Sequence, residues 1–389
     1  MTKKWSSRLT FFAFVVLMVG LGSNDSLRGI FSTIFQEHFS LTTTQLGLIV
    51  TASYIGNLVF LLVGGNLSTR FSKKRVLQVL ILIWMAALAL FAFTSNYTVL
   101  LIGMALALGS STLLNTTMNL ITPLLFATAP GFFVNFLFFT QEIGTSGSQY
   151  ILGSHADGFA FWQHTNLVLL ILGAVAFVLL LFCNVPEEAA APADTPAQKG
   201  GYDWRIIVPY VLVFGFYFIA EHGVMNWMVA YGVDGLGLPQ ASAAKYLSVF
   251  FGGMMIGRLC LSPLVDKLGA LKSLAAFGGV SCVLYLIGSL GGAVAMPIWA
   301  ISGLSFSILY PTLVMSIRLY FPAQQVSGAA GTILSIASLA DILFNVGFGK
   351  LVDVMGYAVS IRVLPLSALA FFIVFMLFTK FCKPTQKLK

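Results

Sequence analysis

The stretch "GGNLSTRFSKKR", residues 64–75, returns in altered form as "LSPLVDKLGALK", residues 261–272. Both copies read Leu, any residue, Thr or Asp, a cation, any residue, Ser or Gly, and then a further cation. Each sits in a very short polar gap between two long apolar runs. Leu67 and Leu264 open the shared pattern, so the offset is 197 residues, about half of the 389-residue chain. Repetition at half the chain length marks a duplicated structure in which each copy is one unit.

Outward from these loops the chain is apolar almost throughout. Hydrophobic residues make up 58% and charged residues only 9%, against about 25% charge in soluble domains, which defines an integral membrane protein. Runs of bilayer-crossing length, about 20 residues, fall at 10–36, 46–68, 76–94, 98–126, 131–153 and 166–184. A second set falls at 206–232, 243–265, 273–294, 297–320, 326–349 and 360–380. Such runs must be helical, because open strands leave backbone groups unsatisfied in lipid. The expected fold is therefore all-α, with twelve transmembrane helices in two pseudo-symmetric six-helix halves. These are residues 1–184 and 205–389, joined by "VPEEAAAPADTPAQKGGYDW" at 185–204, a polar linker with three prolines.

Charge placement orients the chain. With both termini and the linker on the cytoplasmic side, sixteen Lys and Arg residues lie inside, among them Arg70, Lys74, Arg75 and Lys267. Only Lys245, Lys350 and Arg362 lie outside, the bias expected of a multi-pass protein of the cytoplasmic (inner) membrane. The net charge of +8 does not point to nucleic acid, because the cations gather at span ends rather than on one polar face. The opening "MTKKWSSRL" mimics a signal peptide, but no small-residue cleavage site follows, so it reads as an uncleaved first span. Cys183, Cys260, Cys282 and Cys382 carry no metal or disulfide spacing.

At this point the chain resembles the major facilitator superfamily, through its six-linker-six layout and paired signature loops. Within that superfamily it is most similar to the fucose–proton symporter branch of sugar transporters. The carriers are "SNDSLRGIFSTIF" in span 1, "NTTMN" in span 4, "AEHGVMNWMVAYGV" in span 7 and Tyr310–Pro311–Thr312 in span 10. The resemblance implies transport by alternating access, no enzymatic activity, no cofactor and no metal. It also exposes departures. The branch's acids of spans 1 and 4 fall at Arg28 and Asn115, and Thr69 stands where the first signature loop usually has an aspartate, while Asp266 keeps it in the second.

Polar residues inside the spans carry the functional reading, since a buried ion costs roughly 3 kcal/mol or more and marks a wet or interior face. Asp25, Arg28, Glu142, Glu221, His222, Arg258 and Asp341 are the ionisable ones. Amides stand at Asn24, Asn115, Asn119, Gln141, Gln149, Asn226 and Asn345. Asn24 and Arg28, Asn115 and Asn119, His222 and Asn226, and Asp341 and Asn345 share faces at i,i+4 spacing. Such stripes suit a water-filled substrate path between the halves, with Trp227 and Tyr310 as candidate substrate contacts. Asp25 and Arg28, three residues apart, either neutralise one another or act on substrate or proton. Glu142, with no cation within four residues, is the first candidate proton carrier; Asp25 and Glu221 are the others. Arg258, Arg70, Lys74, Arg75, Asp266 and Lys267 are candidate gate residues.

The expected activity is proton-coupled symport of a small polar metabolite, a sugar first, by a monomer in the lipid bilayer. Sodium is the alternative coupling ion. Efflux of drugs or amphiphiles, suggested by 35 Phe and 13 Met residues, and transport of an organic anion held by Arg28 are the rival readings.

Overall fold

The computed structural model describes residues 3–126, 130–186 and 203–384, without the side chains of residues 3–6, 63–70, 130–132, 135, 266, 323, 324 and 327. The chain divides into two compact units, Met1–Ala191 and Pro192–Lys389. Among the described residues there is no strand.

The first unit is built from α1 (Lys3–Ile30), the short α2 (Ser32–Phe39), α3 (Thr43–Arg70), α4 (Lys73–Phe93), α5 (Tyr97–Leu125), α6 (Pro130–Ile151) and α7 (Phe159–Phe182). The second contains α8 (Trp204–Ala230), α9 (Gln240–Leu268), α10 (Ala270–Leu290), α11 (Gly292–Ile301), α12 (Gly303–Phe306), α13 (Leu309–Ser316), α14 (Ala323–Met355), α15 (Tyr357–Ser360) and α16 (Val363–Phe381). Eleven described segments are long and apolar enough to cross a membrane. Helix α6, 22 residues long, carries Gln141 and Glu142 in its middle.

Most expected spans are single helices, and three are interrupted, the twelfth only briefly between Ser360 and Val363. The first ends at Ile30 and restarts at Ser32, the Phe31 amide still bonding to the Leu27 carbonyl at 2.9 Å, so helical bonding runs on across the break. The tenth, expected as one run over 297–320, is divided into α11, α12 and α13 and closes in a 3₁₀ turn at Ile317–Leu319. Ser302, Ser305, Ser307 and Ser316 on this span turn their hydroxyls back onto backbone carbonyls, which is how interrupted helices stay satisfied away from water.

Each signature loop ends in a residue chosen for its turn. Ser72 caps α4 by accepting a hydrogen bond from the Arg75 amide at 3.4 Å. Gly269, 197 residues later, joins α9 to α10 with φ at +81°, where a side chain would be strained. The duplication extends to packing. A Cβ on Gly56 of α3 would stand 2.0 Å from the Ala105 carbonyl oxygen of α5. At the same offset, a Cβ on Gly253 of α9 would stand 3.0 Å from the Leu304 amide of α12. Small residues at these points let backbones approach within lipid-facing bundles.

Candidate functional site

In the first unit the polar groups converge where α1 crosses α6. Gly22 and Gly144 make the crossing close: a Cβ on Gly22 would meet the Gln141 carbonyl oxygen at 2.0 Å, and one on Gly144 would meet that of Val19 at 2.1 Å. Thr145 Oγ1 donates to the Gly22 carbonyl at 3.2 Å and Ser23 Oγ to that of Gly144 at 3.3 Å. The crossing carries Asp25 and Gln141 to neighbouring positions facing α5.

There the side chains form two short systems. Asp25 Oδ2 accepts a hydrogen bond from Ser111 Oγ of α5 at 3.2 Å, and its Oδ1 is buried without a hydrogen-bond partner. Arg28 lies within electrostatic reach of Asp25, is 6% exposed, and places its guanidinium carbon 5.6 Å from the centre of the Tyr54 ring on α3. Beside them, Asn119 Nδ2 donates to Asn115 Oδ1 at 2.6 Å, and Asn115 Nδ2 donates to Gln141 Oε1 at 2.6 Å. This amide ladder runs from α5 to α6 and leaves Asn119 Oδ1 as a buried acceptor without a partner. Glu142 follows on α6, half-buried. Two unsatisfied oxygens, on Asp25 and Asn119, make this a surface that accepts hydrogen bonds and calls for donors.

Asn24 turns from the site. Its Oδ1 accepts from Trp84 Nε1 at 3.2 Å, in the fully buried core between α1 and α4. Asn24 and Arg28 share a helix face yet serve different partners. Asn24 satisfies an indole. Gln149 is fully buried, with neither amide atom hydrogen-bonded.

The second unit holds a different set. His222 Nδ1 on α8 and Asp341 Oδ2 on α14 are 2.6 Å apart. Asp341 is braced by Asn345, whose Nδ2 donates to the Asp341 carbonyl at 2.8 Å and to Oδ1 at 3.3 Å. Trp227 Nε1 in turn donates to Asn345 Oδ1 at 2.9 Å. Trp227 is 0% exposed and packs on Phe348 with centroids 4.9 Å apart, so it offers no open ring face and braces the acid instead of stacking on a ligand. Asn226 is also buried, and His222 meets Asp341 across the helices.

Glu221 points to another neighbourhood. Tyr217 and Tyr310 both lie within electrostatic reach of Glu221 and of Arg258. Arg258 thus lies in the neighbourhood of the span-7 acid and the Tyr310 ring. Of the candidate gate residues in the loops, Lys74 Nζ donates to the carbonyls of Leu181 at 3.0 Å and Cys183 at 2.7 Å. It caps the end of α7, where a cation is favoured by the helix dipole. Arg75 and Lys267 are exposed. The side chains of Arg70 and Asp266 lie outside the described residues.

Sequence reasoning did not single out Tyr54, Trp84, Ser111 or Phe218. Each is an ordinary residue of an apolar run, and only the helix crossings reveal which of them meets a polar partner.

Polar clusters buried within two duplicated helical units of membrane-spanning length define a membrane transporter rather than an enzyme. Residues 10–339 match the family profile of the Major Facilitator Superfamily. The chain belongs to that family. It is similar to the L-fucose-proton symporter of Escherichia coli (strain K12), 24% identical over 333 residues covering 74% of this chain and 75% of the relative. It is also similar to the glucose/galactose transporter of Brucella abortus biovar 1 (strain 9-941), 27% identical over 345 residues covering 82% and 81%. A solved structure of a D-xylose-proton symporter superposes with a TM-score of 0.80 at 16% identity, covering 97% of this chain and 98% of that one. The last likeness concerns the fold alone.

Proposed function

We propose that this protein is a proton-coupled symporter that takes up a sugar or a similar hydroxyl-rich metabolite by alternating access, with both termini on the cytoplasmic side of the cytoplasmic membrane. The observation that carries this reading is the amide ladder Asn119–Asn115–Gln141 beside Asp25. Amides and a carboxylate at this density bind hydroxyls, which donate and accept in fixed directions, and the accepting oxygens left on Asn119 and Asp25 match ligand O–H donors. The names of the relatives point the same way. Arg28 favours the sugar over an organic anion, because its guanidinium is covered by Tyr54 and faces an acid of its own chain.

Glu142 is the proposed carrier of the coupling proton, being a half-buried acid next to the ladder. Its desolvation varies with water access, so its proton affinity changes as the path opens to either side. Proteoliposomes holding wild type or Glu142→Gln test both parts with labelled D-glucose, D-galactose and L-fucose. Wild type should concentrate at least one of them under an inward pH gradient. Glu142→Gln should exchange that sugar across the membrane yet not concentrate it. Accumulation by Glu142→Gln overturns the role of Glu142, and failure of wild type to move any of the three overturns the sugar reading.

A further inference from the structure

We propose that His222 and Asp341 form a proton-binding site of the second unit, loaded through the imidazole and separate from the acids of the first unit. The inference rests on the transporter reading above and adds a second titrating centre to it.

The geometry is that of a proton holder. His222 Nδ1 and Asp341 Oδ2 are 2.6 Å apart, and the two side chains differ in access: 27% exposed for His222 and 2% for Asp341. The imidazole is the wet partner and the carboxylate the sheltered one. With Nδ1–H donated to Asp341, Nε2 is the atom that gains or loses the proton. When it is loaded, imidazolium and carboxylate sum to zero charge. When it is empty, a single negative charge remains buried on Asp341, which is expensive inside a membrane unless water reaches it. Proton loading therefore decides whether this part of α8 and α14 closes cheaply against water.

The surroundings fit an imidazole that becomes charged. The Phe218 ring stacks on His222 with centroids 5.3 Å apart and planes 6° from parallel, an arrangement whose π-face favours a cation. Asn345 and Trp227 hold Asp341 from behind. Of the elements packed on α8, α14 supplies Asp341, with Lys350 and Asp353 roughly 13 and 18 Å further along that helix. Helix α9 supplies Arg258, which with Glu221 of α8 itself acts on Tyr217 and Tyr310. Helix α16 has Lys380 in its last turn, and the Tyr231–Gly235 segment has Tyr231 and Asp234 beyond the end of α8. Asp341 is the acid placed directly on the imidazole.

The repeat adds an independent argument. His222 stands 197 residues after Asp25, the offset of the signature loops. Helix α8 packs on α14 as α1 packs on α6. The duplicated scaffold thus presents a titratable side chain at the same position of each unit.

The test uses the full-length protein with ¹⁵N-labelled histidine in nanodiscs, titrated from about pH 5 to 9 by NMR. The protein has four histidines, and the His222 signal is identified by its loss in His222→Gln. In Asp341→Asn the His222 midpoint should move by about one pH unit or more, while His38, His155 and His164 keep theirs. Asp341→Glu, which retains the carboxylate, should restore a wild-type-like midpoint and guards against misfolding of the Asn variant. A His222 midpoint indifferent to residue 341 overturns the proposal. This readout needs no substrate, so it stands even if none of the three sugars is transported. With a transported sugar in hand, pH-driven accumulation should fall about tenfold in His222→Gln and Asp341→Asn while exchange persists. Unchanged accumulation in both variants overturns the coupling role.

Discussion

At the level of single residues, the arrangement of Asp25 separates two accounts of a charged first span. If Asp25 and Arg28 only neutralise each other, replacing both by Asn and Gln restores what either replacement destroys. The hydrogen bond from Ser111 and the open Oδ1 of Asp25 argue for more than neutralisation, as does the placement of Arg28 over Tyr54. We expect Asp25→Asn to lower sugar exchange about tenfold, and the Asp25→Asn/Arg28→Gln pair to remain as low, in a double-mutant cycle read by counterflow. Recovery of exchange in the double variant would reduce the two residues to an ion pair. Some of this was legible in the sequence. An acid, a cation and several amides inside apolar runs marked the polar faces, and the Asn115–Asn119 and Asp341–Asn345 spacings give real hydrogen bonds. Spacing did not announce the partners that Asn24 and His222 find on other helices, because a helix face is shared by several neighbours. Trp84 and Asp341 lie 60 and 119 residues from their partners, a separation that no local pattern carries.

At the level of elements, stability within each unit is decided by how closely helices cross. Lipid offers little hydrophobic gain for helix association, so tight backbone approach must supply it through packing. The α1–α6 crossing shows this at Gly144, where an added Cβ would stand 2.1 Å from the Val19 carbonyl oxygen. Gly147, one turn along the same helix, has nothing within 4 Å of the equivalent point. Gly144→Val should therefore cost about 1–3 kcal/mol or more through overpacking and lower the thermal midpoint in detergent. Gly147→Val should leave that midpoint unchanged. Equal effects would mean that helix propensity, not the crossing, governs both. Gly144 and Gly147 look alike in "GTSG", since which glycine faces a partner depends on the rotation of α6, and the sequence does not specify that rotation. The broken tenth span escaped reading for a related reason: its serines satisfy the interrupted backbone from within an unbroken apolar run.

For the molecule as a whole, the strongest signal was the repeat, and it acts at every level of the chain. The offset that relates Leu67 to Leu264 also relates Ser72 to Gly269, Gly56 to Gly253, and Asp25 to His222. A fold built twice must still be inserted with one orientation, and the cations decide it. Sixteen Lys and Arg residues on one side against three on the other predict cytoplasmic termini, since cations near span ends are retained on that side. Ser95, exposed between α4 and α5, and Lys383, exposed after α16, then lie on opposite faces of the membrane. In a protein whose four cysteines are replaced by alanine, Ser95→Cys should react with an impermeant maleimide in intact cells. Lys383→Cys should react only after the membrane is opened. An even number of crossings between the N-terminus and Ser95 would label neither in the intact cell, and would overturn the span count. An inverted protein would label Lys383→Cys alone. That outcome would turn the opposite mouth of the path to the cell exterior, while the direction in which a coupled sugar accumulates would still be set by the proton gradient.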